Sequence, residues 1–141
     1  MSLQTQTEGE FKGWEFWDTD DFENRIGPFY FRREEDGNIV GAFRAEQRHM
    51  NGNNSIHGGC LMSFADFALF AIPQSLGEDI HGVTVTMNSE FIGGAVVGEL
   101  MEARGEILRA GGSLIFVRGL ITANQRPCLN FSGTLKRMRR S

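Results

Sequence analysis

Between Cys60 and Ile72 the chain carries only two polar side chains, Ser63 and Asp66. A segment that is apolar on every side offers no face to water, so it predicts a core helix rather than a surface one. The glycine pair Gly58-Gly59 opens this segment and Pro73 and Gly77 close it, which sets the helix at about residues 58–75. The rest of the chain has to cover it.

The flanking sequence has a period of two. Runs at 29–34 and 38–47 read as strands, joined by the turn signal Asp36-Gly37. After the helix, 82–92 alternates Val83, Val85 and Met87 with Thr84, Thr86 and Asn88. The run 99–109 alternates in the same way, and 113–123 is more continuously apolar, as an inner strand would be. A last strand covers about 128–138. The turns RAGGS (109–113) and ANQRP (123–127) are too short for crossovers, so these strands form antiparallel meanders. Two strands, one long helix and four strands predict an α+β protein whose antiparallel sheet wraps the helix.

At 141 residues the chain fits one domain, 1–141. Residues 29–141 form the core. Residues 1–28 form an N-terminal flap or short helix, rich in aromatics (Phe11, Trp14, Phe16, Trp17, Phe22), with Asp18 or Asp20 as cap and Gly27-Pro28 as stop. These aromatics are expected to pack on the core, with some covering a ligand as the sharper alternative. The net charge of -4 argues against nucleic-acid binding. The longest apolar run is too short for a membrane span and no signal segment opens the chain, so a cytoplasmic, soluble protein is expected.

Asp66 is the residue that folding alone does not explain. An unpaired carboxylate in a core costs several kcal/mol, and Asp is a mediocre helix former. It reads as a general base or nucleophile facing a pocket; the plainer account is an Asp bonded to a backbone N–H or a basic partner. At the front of the same helix, His57-Gly58-Gly59 places small residues where the first free N–H groups lie. There the backbone and the helix dipole favour a developing oxyanion. Asn51 is placed to add a side-chain amide. Gly58 and Asp66 are eight residues apart, about 12 Å along a helix, too far to act on one carbonyl. Two antiparallel helices in a two-fold dimer would bring Asp66 of one chain to Gly58 of the other.

The stretch HMNGNNSIHGGCLMSFAD resembles the hot-dog-fold acyl-CoA thioesterases of the phenylacetate-degradation (PaaI-like) type, whose pattern reads N-x-x-G-x-x-H-G-G followed by a helical Asp. The resemblance continues through GVTVTMNSEFIGGA and LRAGGSLIFV. It implies a sheet of five to six strands around the helix, homodimers through a continuous sheet, and homotetramers built from them. It implies acyl-CoA as substrate and no metal or other cofactor. It further implies that Asp66 activates water or attacks directly, that the Gly58 N–H binds the thioester oxygen, that Asn51 orients substrate or water beside His57, and that Thr84 helps hold the water. Gly59, Thr86 and Asn88, with Arg109, Gly111 and Ser113 of the hairpin and Arg137 of the basic tail, would contact CoA or the acyl group. One position departs: the family glycine between the Asn and HGG is Asn54 here, a residue that tolerates a left-handed backbone.

Other constellations are weaker. Cys60 follows His57 by three residues, but His57 sits at the helix start rather than on its face. His49, His57, Cys60 and His81 match no common metal template. Lys136, Arg137, Arg139 and Arg140 make a basic end, either solvated or facing CoA phosphates. The rival functions are a hydratase or dehydratase of the same fold and a non-catalytic acyl-CoA-binding module.

Overall fold

A computed structural model describes residues 3–138. The apolar stretch forms helix α2 (Gly58–Ala71), which tightens into a 3-10 segment at Ile72–Leu76 around Pro73. Phe64, Ala65, Phe67, Ala68 and Leu69 are all but inaccessible to water. Full burial of a Phe or Leu contributes about 1.5–3 kcal/mol, so this helix anchors the core. The helix is not covered on every side, however. Met62 is 41% exposed, and Ser63, Asp66 and Phe70 are half-buried. These residues follow one another at helical spacing and make an open stripe. By length and composition alone Gly58–Leu76 could cross a bilayer; here most of its apolar side chains are buried in the core, Met62 and Leu76 being the exposed ones.

The strands are β1 (Leu3–Thr5), β2 (Glu15–Trp17), β3 (Tyr30–Arg33), β4 (Ile39–Arg44), β5 (Gly82–Phe91), β6 (Leu100–Ala110), β7 (Leu114–Ala123) and β8 (Arg126–Arg137). They form one antiparallel sheet in the order β1-β2-β3-β4-β6-β7-β8-β5. Helix α2 is the connection that carries the chain from β4 past three strands to the far edge at β5. Leu69 shows how closely helix and sheet meet: a Cβ on Gly133 of β8 would lie 2.6 Å from its Cδ1, so only glycine fits there.

The sheet has eight strands rather than five to six. The two additional strands are three residues each, too short to show alternation, and β2 touches β3 through the single pair Glu15↔Phe31. Tertiary packing holds them. Trp17 is 7% exposed, with its ring centroid 5.0 Å from Phe31 and 5.4 Å from Phe67, and Phe11 stacks on Tyr30. Between β2 and β3 lies α1 (Asp21–Ile26), capped by Asp20, whose Oδ1 accepts the Glu23 N–H at 3.0 Å.

Helix α1 is fastened to the loop before α2. Arg48 donates to the carbonyls of Arg25 and Gly27. Buried His49 bonds the Ile26 carbonyl through Nε2 at 2.7 Å, while its Nδ1 accepts the Glu46 N–H. Three carbonyls at the end of α1 that would otherwise lack partners are thus satisfied. Burial holds the His49 pKa below its usual value, which suits a neutral ring that donates on one side and accepts on the other.

Candidate active site

The loop entering α2 is shaped by Asn51. Its Oδ1 accepts the N–H groups of Asn53 and Ser55, at 2.8 and 3.2 Å, leaving the amide NH2 as its donor. Asn54 adopts the left-handed conformation (φ 56°) that a glycine would otherwise supply. His57 is the N-cap of α2: its Nδ1 accepts the Gly59 N–H at 2.8 Å, and its carbonyl accepts from Cys60 and Leu61. The cap therefore uses the N–H groups that follow Gly58 and leaves the Gly58 N–H at the positive end of the helix dipole. A Cβ on Gly58 would lie 3.1 Å from the Phe91 ring, at the far end of β5.

Asp66 lies two turns further along α2, at the other end of β5. The Thr84 hydroxyl donates to its Oδ1 at 2.5 Å. Burial raises the Asp66 pKa, the Thr84 hydrogen bond opposes this, and the Asp20 charge adds to it. The result is a carboxylate more basic than an exposed one, with one oxygen held and the other free. Two cavities open on it. One, of about 290 Å³, is lined by Asp20, Phe22, Glu23, Met62, Ser63 and Met87 as well as Asp66. The other, of about 240 Å³, adds Trp17, Phe70 and Thr84. A third cavity, of about 350 Å³, adjoins the helix start and includes His57, Gly59, Cys60, Arg25 and Arg48. Phe22, 66% exposed, borders the first and the third.

The structure does not put Thr84, Thr86 and Asn88 on one face. Thr84 pairs with Leu135 and Thr86 with Thr134, so Val85 is an extra residue, a β-bulge. Beyond it Met87, opposite Gly133, faces α2, and Thr86 and Asn88 face the other side of the sheet. Arg137 pairs with Gly82 at the start of β5, which brings the 109–114 hairpin to the Asp66 end of the helix. Its guanidinium ion-pairs with Glu78 and reaches the Gly111 carbonyl, while its N–H donates to the Ser113 carbonyl. Arg109 adjoins a second bulge, at Leu108. Arg139 and Arg140 lie outside the described residues. Cys60 is 6% exposed and burial pushes its thiol up to about 11, which leaves it protonated and unreactive. Among the described residues, no three His, Cys, Asp or Glu side chains are grouped to hold a metal ion.

Residues 53–129, more than half of the chain, match the family model described as Thioesterase superfamily. This chain belongs to the thioesterase superfamily. A Pseudomonas aeruginosa protein named "Putative esterase PA0474" is 29% identical over 109 residues, 77% of this chain and 81% of that one. The E. coli PaaI protein from the phenylacetic acid degradation operon superposes with a TM-score of 0.74 at 21% identity, covering 86% of this chain and 87% of that one. A hypothetical thioesterase from Streptococcus pneumoniae, solved with coenzyme A, gives 0.70 at 21% identity, covering 80% and 88%. The two structural likenesses establish the hot-dog fold.

For a thioesterase-superfamily chain, the acidic contribution of α1 and its cap to the cavities is the part that reading the sequence missed. Asp20 and Glu23 line the cavities of Asp66 although more than 40 residues separate them, together with Phe22, one of the aromatics expected to pack on the core or cover a ligand. A signal was present: Asp20-x-x-Glu23 has the form of a helix-start motif, followed by a helix too short to have an inner face of its own. The superfamily assignment covers 53–129 and so does not include α1.

Proposed function

We propose that this chain is an acyl-CoA thioesterase that hydrolyses its substrate to a free acid and CoA, with Asp66 as the base or nucleophile. The observation that carries the reading is the Asp66–Thr84 pair: a half-buried carboxylate without a basic partner among the described residues, oriented by one hydroxyl, in the wall of two cavities that also present apolar side chains (Phe22, Met62 and Met87 in one, Trp17, Phe70 and Val83 in the other). An acyl chain needs apolar walls, and a water needs an oriented base beside it.

The site is completed by a second copy of the chain. Within one chain Gly58 touches Phe91 and Asp66 touches Thr84, at opposite ends of the edge strand β5. If two β5 edges pair antiparallel about a two-fold at Asn88, with the Val85 bulge setting two residues against one, Thr84 of one chain comes opposite Phe91 of the partner subunit. Asp66 then stands near Gly58 of the partner subunit. An unpaired ten-residue edge with exposed Val83, Val85 and Phe91 suits such pairing. Pairs of such dimers would form the tetramer.

In the reaction the thioester oxygen accepts the Gly58 N–H at the helix start, and the Asn51 amide helps orient substrate or water. Asp66 takes a proton from water as the water oxygen bonds to the carbonyl carbon. The C–S bond then breaks, its electrons leave with sulfur, and the proton passes from Asp66 to the CoA thiolate. Base assistance is typically worth about 10²–10⁴-fold, and one oxyanion donor roughly 10²–10³-fold. No metal or redox group is needed. Arg109 would contact the CoA phosphates, and Arg137 would exchange Glu78 for phosphate to do the same.

Assaying thiol release over a panel of aliphatic and aromatic acyl-CoAs tests the reading. Turnover of at least one member, accelerated far beyond the uncatalysed rate, is expected. Change in the acyl chain without thiol release would establish the hydratase instead, and binding without any reaction a sensor.

A further inference from the structure

Both cavities that open on Asp66 have α1 as a common wall, and Glu23 of that helix lines both. Among the described residues no Lys, Arg or His lines either one. Besides carboxyl groups their walls hold aromatics, methionines, Val83, Gly82 and the hydroxyls of Ser63 and Thr84. Three carboxyl groups, Asp20, Glu23 and Asp66, share this space, and close like charges cannot all persist in poorly solvated surroundings. Two of them have donors that favour the charged form. Asp20 accepts the Glu23 N–H at the helix cap, and Asp66 accepts the Thr84 hydroxyl. Among the described residues no such donor serves the Glu23 carboxyl, whose hydrogen-bond partner is the Asp20 carboxylate, so the proton falls to Glu23.

We propose that Glu23 is a proton-bearing positioning residue for hydrolysis at Asp66, its carboxylic O–H turned to the Asp20 carboxylate and its carbonyl oxygen holding the attacking water against the Asp66 carboxylate across the shared cavity. This role rests on the thioesterase reading. The two groups form an unequal pair, one ionised and one neutral, set apart by their different donors. Asp66 takes the proton of the attacking water and later returns it to the departing thiolate. Glu23 keeps its own proton throughout, so no further reactant enters. The groups facing Glu23 are Asp20 from the cap, Asp66 and Ser63 from α2 and Thr84 from β5; Arg25, Arg48, His49 and His57 line the neighbouring cavity. Burial, followed by the Asp20 charge, the hydrogen bond to Asp20 and the Asp66 charge, pushes the Glu23 carboxyl up to about 8. Above that pH the bond to Asp20 is lost and a second negative charge stands beside the base.

The test is the pH profile of kcat and KM between pH 5 and 10 for the full-length wild type, Glu23→Gln and Glu23→Ala, on the best acyl-CoA of the panel. Circular dichroism and size-exclusion light scattering serve as checks on folding. The wild type should lose turnover on the alkaline side near pH 8. Glu23→Gln cannot ionise yet keeps a carbonyl oxygen for the water and an N–H for Asp20, so it should stay active at pH 7 and lack that alkaline fall. Glu23→Ala should lower kcat at pH 7 roughly three- to tenfold, the worth of one hydrogen bond, with KM little changed. An alkaline fall retained in Glu23→Gln, or an unchanged kcat in Glu23→Ala, would overturn the role of Glu23 and leave the thioesterase reading standing. Absence of thiol release by the wild type at every pH would overturn both.

Discussion

The Thr84 hydroxyl donates to Asp66 Oδ1 at 2.5 Å, tying the edge strand β5 to the one carboxylate of helix α2. That bond fixes the rotamer of Asp66 and leaves its second oxygen for a water. It also ties the site to the sheet edge, so a contact made along β5 would bear directly on the catalytic geometry.

Asp66→Asn should lower thioester turnover by at least two orders of magnitude, since the amide cannot accept a proton from water. The substitution keeps size and shape, so oligomeric state and melting temperature should persist. Steady-state kinetics with light scattering checks both; unchanged turnover would remove Asp66 from the mechanism.

Thr84→Val keeps the branched shape and removes the donor. The hydroxyl favours the charged form of Asp66, so its loss should raise the pKa of Asp66 further. The acid side of the activity profile should move to higher pH, and turnover at neutral pH should fall roughly three- to tenfold, the worth of one hydrogen bond. A profile that moves to lower pH would contradict the assignment.

Gly58→Ala should damage catalysis more than stability. The new methyl group would stand 3.1 Å from the Phe91 ring, a crowding that a shift of a few tenths of an ångström relieves. Ala is favoured over Gly within helices by about 0.5–1 kcal/mol, which offsets the crowding. The methyl group would still intrude where the thioester oxygen approaches. A loss in kcat/KM of roughly tenfold or more with little change in melting temperature is the expected pair of results.

Glu23 should also leave its mark on stability. Its folded-state pKa is raised from an ordinary 4.5 to about 8. Between those two values the folded chain binds more protons than the unfolded one, so stability falls as pH rises through this window. Glu23→Gln removes that dependence. Its melting temperature relative to wild type should therefore be higher at pH 9 than at pH 5. An equal difference at both values would contradict the shift.

Much of this was written locally in the chain. The helix could be read because a run from Cys60 to Ile72 with two polar residues has no other place to go. The strands β5 to β8 could be read from their period of two, and Asp66 stood out as the only charge in an apolar run. What escaped depends on distant partners. Strands β1 and β2 are three residues each and exist because Trp17 and Phe11 find partners on β3 and α2. The bulge at Val85 carries no composition signal, yet it separates Thr84 from Thr86 and Asn88. Glu23 shares its cavities with Asp66 on a helix whose end is fastened by Arg48 and His49, more than twenty residues later.

The account centres on a site made by two chains, and subunit mixing tests it most directly. Asp66→Asn and Asn51→Ala proteins, each inactive alone, are mixed and allowed to exchange, with exchange followed by native mass spectrometry. A hybrid dimer holds one site with both native residues. Random exchange of equal amounts should then restore about a quarter of wild-type activity, since half the dimers are hybrids with one working site each. Full exchange with no recovery would contradict a shared site and place Asp66 and Asn51 in the same chain's chemistry.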